Sequence, residues 1–293
     1  MAFANAGGVK VFFEEAGTGT PIIFVHEFGG DSRSWDAQLA HFSRGYRCIT
    51  MNARGYPPSD VPGGGDAYRQ DIFNRDVIAV LDAAGVAKAH VVGLSMGAYT
   101  ALQIGMHFPD RVLSLVAAGG GSGSELAARA QFQADATATA ALMDQTGGID
   151  AQTMGLSPTR VQLLVKDPKG WARFVQHVGE HSATGSARTL RGVQVQRSSL
   201  YELEAGLKGI AAPVLLIVGD EDEPCLDVNL WMKRLMPSAE LALLPRTGHA
   251  CNLEEPALFN QLIERFLASI DRGSWKPRDP RATSEGVFSS LRG

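Results

Sequence analysis

The sequence has few cysteines, no excess of basic residues and no long apolar run, and each shortage excludes a class of protein. Its three cysteines, Cys48, Cys225 and Cys251, make no disulfide framework, and their odd number suits a reducing compartment. The formal net charge of −4 leaves no basic footprint for nucleic acid. No apolar stretch approaches membrane-spanning length, and the first ten residues, MAFANAGGVK, lack the pattern of a signal peptide. We therefore expect a cytoplasmic protein that binds neither nucleic acid nor membranes.

What the sequence does contain is ordinary for a globular protein of its size. Hydrophobic residues make up 45% of the 293 residues and charged residues 20%. A chain of this length can bury one large core, or a core with an inserted segment.

Most of the chain alternates short apolar runs with segments of helical spacing. The runs predict strands at residues 9–15, 21–25, 46–51, 89–94, 112–117, 213–218 and 239–244. The intervening spacing predicts helices near residues 35–42, 68–84, 96 onward, 226–235 and 256–270. The first strand reads as antiparallel. Such alternation predicts an α/β fold, a mostly parallel twisted sheet flanked by helices.

The alternation is interrupted once. Residues 119–209 are alanine-rich and helical in pattern, which predicts an inserted helical cap, with the core formed by residues 1–118 and 210–270. Residues 271–293 form a C-terminal tail that carries Trp275. We interpret the tail as an extended segment on the surface or on a partner, with disorder as the alternative, and Trp275 as a candidate contact in a possible homodimer.

A short motif joins the predicted strand 89–94 to the helix that follows it. Residues 93–97 read Gly-Leu-Ser-Met-Gly, the Gly-x-Ser-x-Gly pattern of a nucleophile elbow, with Ser95 at its centre. The flanking glycines relieve crowding in a strained turn, and the helix N-terminus beside Ser95 favours developing negative charge. The motif predicts a nucleophilic serine.

A serine hydroxyl needs a base, and the base needs an acid to fix its tautomer. The loop after strand 213–218 offers Asp220, Glu221 and Asp222, and the loop after strand 239–244 ends at His249. All of these follow strands, so they belong at the carboxyl edge of the sheet, where such folds bind ligands.

These motifs together resemble the α/β-hydrolase fold superfamily over residues 8–270. The matching segments are HEFGG (26–30), ARGYPPSD (53–60), GLSMG (93–97), GDED (219–222) and GHACNLEEP (248–256). The resemblance is to the serine esterase, enol-lactonase and haloperoxidase-like branch, since the dehalogenase and epoxide-hydrolase branches require an aspartate nucleophile. It implies Asp222 rather than Asp220 as the acid and His249 as the general base.

The resemblance also implies an oxyanion hole. Its donors would be the backbone amides of Phe28 and Met96, with a structural role for His26. The family usually carries glycine where this chain has Glu27. Because a carboxylate in the hole would repel the oxyanion, we hypothesise a Glu27–Arg54 ion pair; the alternative is a Glu27 that contacts substrate or water.

We therefore expect a serine hydrolase that cleaves a small or medium carboxylic ester or lactone, a small-molecule substrate, without a cofactor. The alternatives are a carbon–carbon bond hydrolase, a cofactor-free haloperoxidase or perhydrolase-like enzyme, and a slow-turnover ligand receptor on the same fold. The candidate substrate-pocket residues are Glu27, Phe132, Met143, Met154, Trp171, Phe174 and Tyr201.

Two further patterns carry a weaker signal. His177 and His181 have a spacing that can bind metal, but no third ligand is apparent, so we expect no metal site. Cys225 and Cys251 each follow a predicted catalytic residue closely, and we interpret them as small packing residues rather than a disulfide.

Overall fold

The computed structural model describes residues 2–283, and in this part of the chain one eight-stranded sheet forms the centre of the protein. The strands are β1 (Ala2–Ala6), β2 (Val9–Ala16), β3 (Thr20–Val25), β4 (Tyr46–Met51), β5 (Ala89–Leu94), β6 (Val112–Ala118), β7 (Val214–Gly219) and β8 (Ala239–Leu244). Their order is β1-β2-β4-β3-β5-β6-β7-β8. β2 pairs antiparallel with both β1 and β4, and the remaining pairs are parallel. The predicted strands are all present, and β1 is an additional edge strand.

Helices cover both faces of the sheet. The α-helices are α1 (Asp36–Phe42), α2 (Gln70–Ala83), α3 (Met96–His107), α4 (Arg129–Thr146), α5 (Ala151–Gly155), α6 (Val161–Lys166), α7 (Pro168–Gly179), α8 (Ala183–Thr189), α9 (Glu204–Lys208), α10 (Glu223–Leu235), α11 (Cys251–Glu254) and α12 (Pro256–Asp271). Single turns of 3₁₀-helix occupy Ser32–Trp35, Gly65–Ala67, Pro109–Arg111, Tyr201–Leu203 and Pro280–Thr283, and Leu190–Gln194 is a π-helical turn.

The central strands are apolar throughout because both of their faces are covered. Every residue of β5 and β7 is buried. One face packs against α2, α3 and α10 in a cluster that includes Val91 and Leu102, and the other packs against α1 and α12 in a cluster that includes Val92 and Phe259. A continuous apolar run is the expected pattern for a parallel strand covered in this way. The predicted fold class is confirmed.

The segment between β6 and β7 is helical, as its composition indicates. α4 packs against α8, and α7 packs against both α5 and α6, so these helices form a cap with small apolar clusters of its own. Its C-terminal part behaves differently, because Leu200, Leu207 and Ile210 are buried in the main core. The boundary suggested at residue 209 therefore falls after residues that already pack with the core.

The tail follows α12 along the surface of the same chain. Trp275 is half-buried against the cluster that includes Phe266, and the backbone N–H of Arg278 donates to the carbonyl of Pro237 at 2.9 Å. Residues 284–293 of the predicted tail lie outside the described residues. In the described part of the chain, no helix combines the length and apolar character needed to cross a membrane.

Candidate active site

Ser95 lies in a strained turn between β5 and α3. Its φ of 55° and ψ of −107° place a non-glycine residue in a sparsely populated conformation. Its backbone N–H donates to the carbonyl of Ala118 at 2.7 Å, which ties the turn to β6. A Cβ on Gly93 would collide with the backbone of Gly97, and one on Gly97 would collide with the carbonyl of Val25. The glycines are therefore required by close backbone contact, as the motif predicts.

Asp222 and His249 meet at the carboxyl edge of the sheet. Asp222 Oδ2 lies 2.8 Å from His249 Nδ1, and both side chains are buried. Burial lowers the pKa of His249, but the charge and hydrogen bond of Asp222 outweigh it and raise the pKa to about 10. The other two acids of the loop are engaged elsewhere: Asp220 accepts the N–H of Thr247 at 3.1 Å, and Glu221 accepts a hydrogen bond from the Gln162 side chain. Asp222 is therefore the carboxylate positioned to orient His249.

The second ring nitrogen of His249 faces another carboxylate. Among the hydrogen bonds of residues 2–283, none joins the Ser95 hydroxyl to His249. Instead Glu27 Oε2 lies 3.9 Å from Nε2. Glu27 is itself ion-paired with Arg160, which precedes α6 in the cap. Arg160 and His249 thus both contribute to lowering the pKa of Glu27, against the opposing effect of burial.

The predicted Glu27–Arg54 ion pair is wrong. The guanidinium of Arg54 forms a two-pronged pair with Asp76 of α2, at 2.6 Å and 2.5 Å, and both side chains are buried. It also donates to the carbonyls of Ala67 and Ala6. The physical reason is that Arg54 extends from its loop toward α2, whereas the cap brings Arg160 to Glu27. Neither of the two hypotheses for Glu27, an ion pair with Arg54 or a contact with substrate or water, included a partner in the cap.

His26 has a structural position beneath the same loop. Its Nε2 accepts the N–H of Ala53 at 3.0 Å, so its Nδ1 carries the proton and donates to the carbonyl of Glu27 at 2.6 Å. Burial lowers the pKa of His26 to about 4, so the ring is neutral at pH 7. The ring therefore connects the two loops that follow β3 and β4.

Phe28 and Met96, the predicted oxyanion-hole residues, pack in the same apolar cluster. Met96 is buried at the start of α3. The carbonyl of Phe28 accepts the hydroxyl of Tyr56 at 3.0 Å, and its ring packs between the core and the cap. The use of their backbone amides for an oxyanion stays a prediction.

The predicted pocket residues of the cap divide into two groups. Met143 shares a cluster with Phe28, and a Cβ on Gly29 would lie 3.1 Å from Met154 Sδ and 3.3 Å from the Phe174 ring, so these three lie against the oxyanion loop. Two cavities border this region, one of about 650 Å³ beside Met143 and Met154 and one of about 370 Å³ beside Gly29 and Phe174.

The other three aromatic residues have structural contacts instead. Phe132 packs over Gly123, and Trp171 donates to the carbonyl of Gly155 at 2.8 Å within the cap cluster. Tyr201 packs on Trp231, with ring centroids 4.7 Å apart, at the edge of the main core. Phe132, Trp171 and Tyr201 are therefore explained by packing within the cap or core.

The positions of the histidine and cysteine side chains decide whether they could bind a metal ion together. His181 Nε2 lies 3.2 Å from Asp31, whereas His177 lines the smaller cavity, so the two do not form a joint site. Within residues 2–283, the cluster whose ligand atoms lie within 4.8 Å of one another is Asp222, Cys225 and His249. Because Asp222 and His249 already bond each other, we interpret Cys225 as a neighbour of the catalytic pair. All three cysteines are buried and free.

Arg160 and Thr159 are the site residues that the sequence did not reveal. The carbonyl of Thr159 accepts the backbone N–H of His249 at 2.7 Å. The unusual Glu27 was a signal that a cation should lie nearby, but which one depends on how the cap docks.

Comparison with known proteins agrees with this geometry. The model of the alpha/beta hydrolase fold family matches residues 20–256. The 3-oxoadipate enol-lactonase 2 of Acinetobacter baylyi is 29% identical over 255 residues, covering 84% of this chain and 88% of the relative. A 2-hydroxy-6-oxononadienedioate/2-hydroxy-6-oxononatrienedioate hydrolase of Burkholderia vietnamiensis is 27% identical over 281 residues, covering 88% and 91%.

A solved structure extends the agreement to the fold. A thermophilic esterase from Thermogutta terrifontis superposes with a TM-score of 0.79 at 23% identity, covering 89% of this chain and 94% of the esterase. The family match covers β3 to β8, the elbow, the segment between β6 and β7, and the histidine loop. The chain therefore belongs to the α/β-hydrolase fold family and has the fold of its enzymes.

Proposed function

We propose that this protein is a serine hydrolase that cleaves a small or medium carboxylic ester or lactone through an acyl-enzyme. The observation that carries the proposal is the convergence of Ser95, on its strained elbow, with the buried Asp222–His249 pair at one edge of the sheet. A strained serine next to such a pair has a clear use in acyl transfer.

The chemistry follows from the roles of these three side chains. The Ser95 hydroxyl oxygen attacks the substrate carbonyl carbon while its proton passes to Nε2 of His249. Asp222 stabilises the imidazolium, and the backbone amides of Phe28 and Met96 donate to the oxyanion. The tetrahedral intermediate expels the alcohol, which takes the proton from His249. Water then repeats the sequence and releases the acid and free Ser95.

The cap provides the surroundings of the substrate. We propose that the apolar part of the substrate lies along Met143 and Met154, which line one cavity of the cap, and Phe174, which lines a second cavity together with Gly29. The enol-lactonase relative supports a lactone or ester as substrate. The second candidate is a hydrolase of 2-hydroxy-6-oxo dienoates, because the Burkholderia relative with that substrate class in its name aligns over most of the chain.

The test measures hydrolysis of p-nitrophenyl acetate, butyrate and octanoate, with fluorophosphonate labelling in parallel. We expect turnover and labelling in the wild type, loss of both in Ser95→Ala, and no change in Ser274→Ala, which alters an exposed serine of the tail. Labelling without ester turnover would favour the dienoate candidate or a slow-turnover receptor. Turnover that persists in Ser95→Ala would overturn the mechanism.

A further inference from the structure

Glu27 is a buried carboxylate placed where the catalytic base must work. Its side chain is 1% exposed, and its Oε2 faces Nε2 of His249, the nitrogen that Asp222 leaves free. A buried carboxylate is stable only with a charged or hydrogen-bonding partner. Here the partner is Arg160, whose side chain is 14% exposed.

Arg160 belongs to the cap, and its neighbour holds the histidine loop. The Thr159 carbonyl accepts the backbone N–H of His249 at 2.7 Å, and a Cβ on Gly248 would collide with the same carbonyl. The cap segment 159–160 therefore contacts His249 both directly, through its backbone, and indirectly, through Glu27.

We propose that Arg160 couples docking of the cap to the basicity of His249, with Glu27 as the intermediary; the proposal rests on the serine mechanism above. With the cap docked, Arg160 offsets the charge of Glu27, so His249 releases its proton more readily and can then accept one from Ser95. With the cap displaced, the Glu27 carboxylate faces the ring alone and retains the proton on Nε2. Glu27 and Arg160 are thus positioning residues that act through His249, and a larger fraction of the ring is unprotonated, and available as the base, when the cap is docked.

Apart from Arg160, the charged cap residue beside the histidine loop is Lys166 of α6, which lies 3.9 Å from Glu254 and donates to Thr247. Asp222 follows β7, Cys225 lies on α10, and Glu254 lies on α11, all within the core. The titratable or charged groups that influence the ring are Asp222, Cys225, Glu27, Arg160 and Glu254. The cap therefore contributes two cations, Arg160 at Glu27 and Lys166 at Glu254, and its displacement leaves more negative charge near His249.

The direct test is an NMR titration of the His249 ring in the full-length protein. An opposite charge within about 4–6 Å shifts a pKa by about 1–3 units. We expect the titration midpoint to fall by about one unit or more in Glu27→Gln and to rise by a similar amount in Arg160→Gln. Arg160→Lys, which keeps the charge, should keep the midpoint within about 0.3 unit of the wild type. If Arg160→Gln does not fold, Arg160→Lys together with Glu27→Gln still tests the proposal.

The matched control is Gln162→Ala. Gln162 docks the same cap segment through Glu221 but carries no charge and does not contact Glu27. We expect its midpoint to equal that of the wild type. A shift in Gln162→Ala as large as that in Arg160→Gln, or variants of Glu27 and Arg160 that shift the midpoint in the same direction or not at all, would overturn the proposal.

The pH dependence of fluorophosphonate labelling at Ser95 gives a second measurement. The pH of half-maximal labelling rate should move with the NMR midpoint in each variant. If no variant is labelled at any pH, the serine mechanism fails, whereas the NMR midpoints still decide whether Arg160 and Glu27 control the ring.

Discussion

The Oδ2 atom of Asp222 lies 2.8 Å from Nδ1 of His249. This contact keeps the proton on Nδ1 in the neutral ring, so that Nε2 is the nitrogen free to accept the serine proton. In the proposed mechanism it also stabilises the imidazolium. Asp220, two residues earlier, instead fixes the turn before His249 by accepting the N–H of Thr247.

Asp222→Asn should therefore lower kcat by about 10⁴-fold, because an amide favours the wrong tautomer of His249. The measurement is steady-state hydrolysis of a p-nitrophenyl ester. Asp220→Asn is the control, and because an asparagine oxygen can still accept from Thr247, we expect activity close to that of the wild type. Equal losses in the two variants would show that the loop, not the Asp222–His249 contact, determines the effect.

Gly97→Ala should destabilise the fold, because its Cβ would collide with the carbonyl of Val25. Overpacking of this kind costs about 1–3 kcal/mol. Urea denaturation gives the free energy of unfolding. Gly179→Ala is the matched control: it lies at the end of α7 with no atom within 4 Å of its would-be Cβ, and it should be neutral or stabilising. A Gly97→Ala protein as stable as the wild type would contradict the close contact.

Removing one partner of the buried Arg54–Asp76 pair should destabilise the fold. Replacing both residues with apolar ones should be nearly neutral. Arg54→Met or Asp76→Leu alone leaves an unpaired buried charge, which costs about 3–5 kcal/mol. The double variant Arg54→Met/Asp76→Leu removes both charges and should recover most of that stability. Chemical denaturation of the three variants tests this expectation. Losses that simply add in the double variant would mean that the two groups do not compensate each other.

His26 should make the fold less stable in mild acid. Its folded pKa of about 4 lies below the ordinary histidine value of 6.5, so between these values the unfolded chain binds more protons than the folded one. Stability is therefore complete above pH 6.5 and falls as the pH drops toward 4. Between pH 7.5 and pH 5, protonation of His26 should lower the free energy of unfolding by about 2 kcal/mol.

The check is to compare the free energies of unfolding at pH 7.5 and pH 5 in the wild type and in His26→Gln. The decrease should be smaller in the variant by the contribution of His26. Burial also lowers the pKa of His90 to about 4, so His90→Gln is a second test of the same effect and should reduce the decrease in a similar way. An unchanged decrease in both variants would show that neither buried ring contributes to the pH dependence.

Local patterns in the sequence predicted the parts of the site that depend on neighbouring residues. Ser95 and its glycines lie within one five-residue turn, and Asp222 and His249 each follow a strand of clear apolar character. The parallel sheet then brings the three to one edge, which requires no knowledge of side-chain packing.

Contacts between distant segments were not predictable in the same way. Arg160 is 133 residues from Glu27 and reaches it only because of how α6 docks, and no local pattern specifies that docking. The edge strand β1 was missed because AFANA is short and half exposed, so its pairing with β2 rather than its composition defines it. Tyr201 was assigned to the pocket on residue type, yet the residues around it already belong to the core.

The contact of one short segment with both Glu27 and the histidine loop has a consequence for the evolution of this enzyme. A different cap that lacks an arginine equivalent to Arg160 would leave the buried Glu27 carboxylate without its counterion. Such a change of cap would need to be accompanied by replacement of Glu27 with glycine. The acid and the arginine are therefore expected to be inherited together, or lost together, as substrate preference diverges.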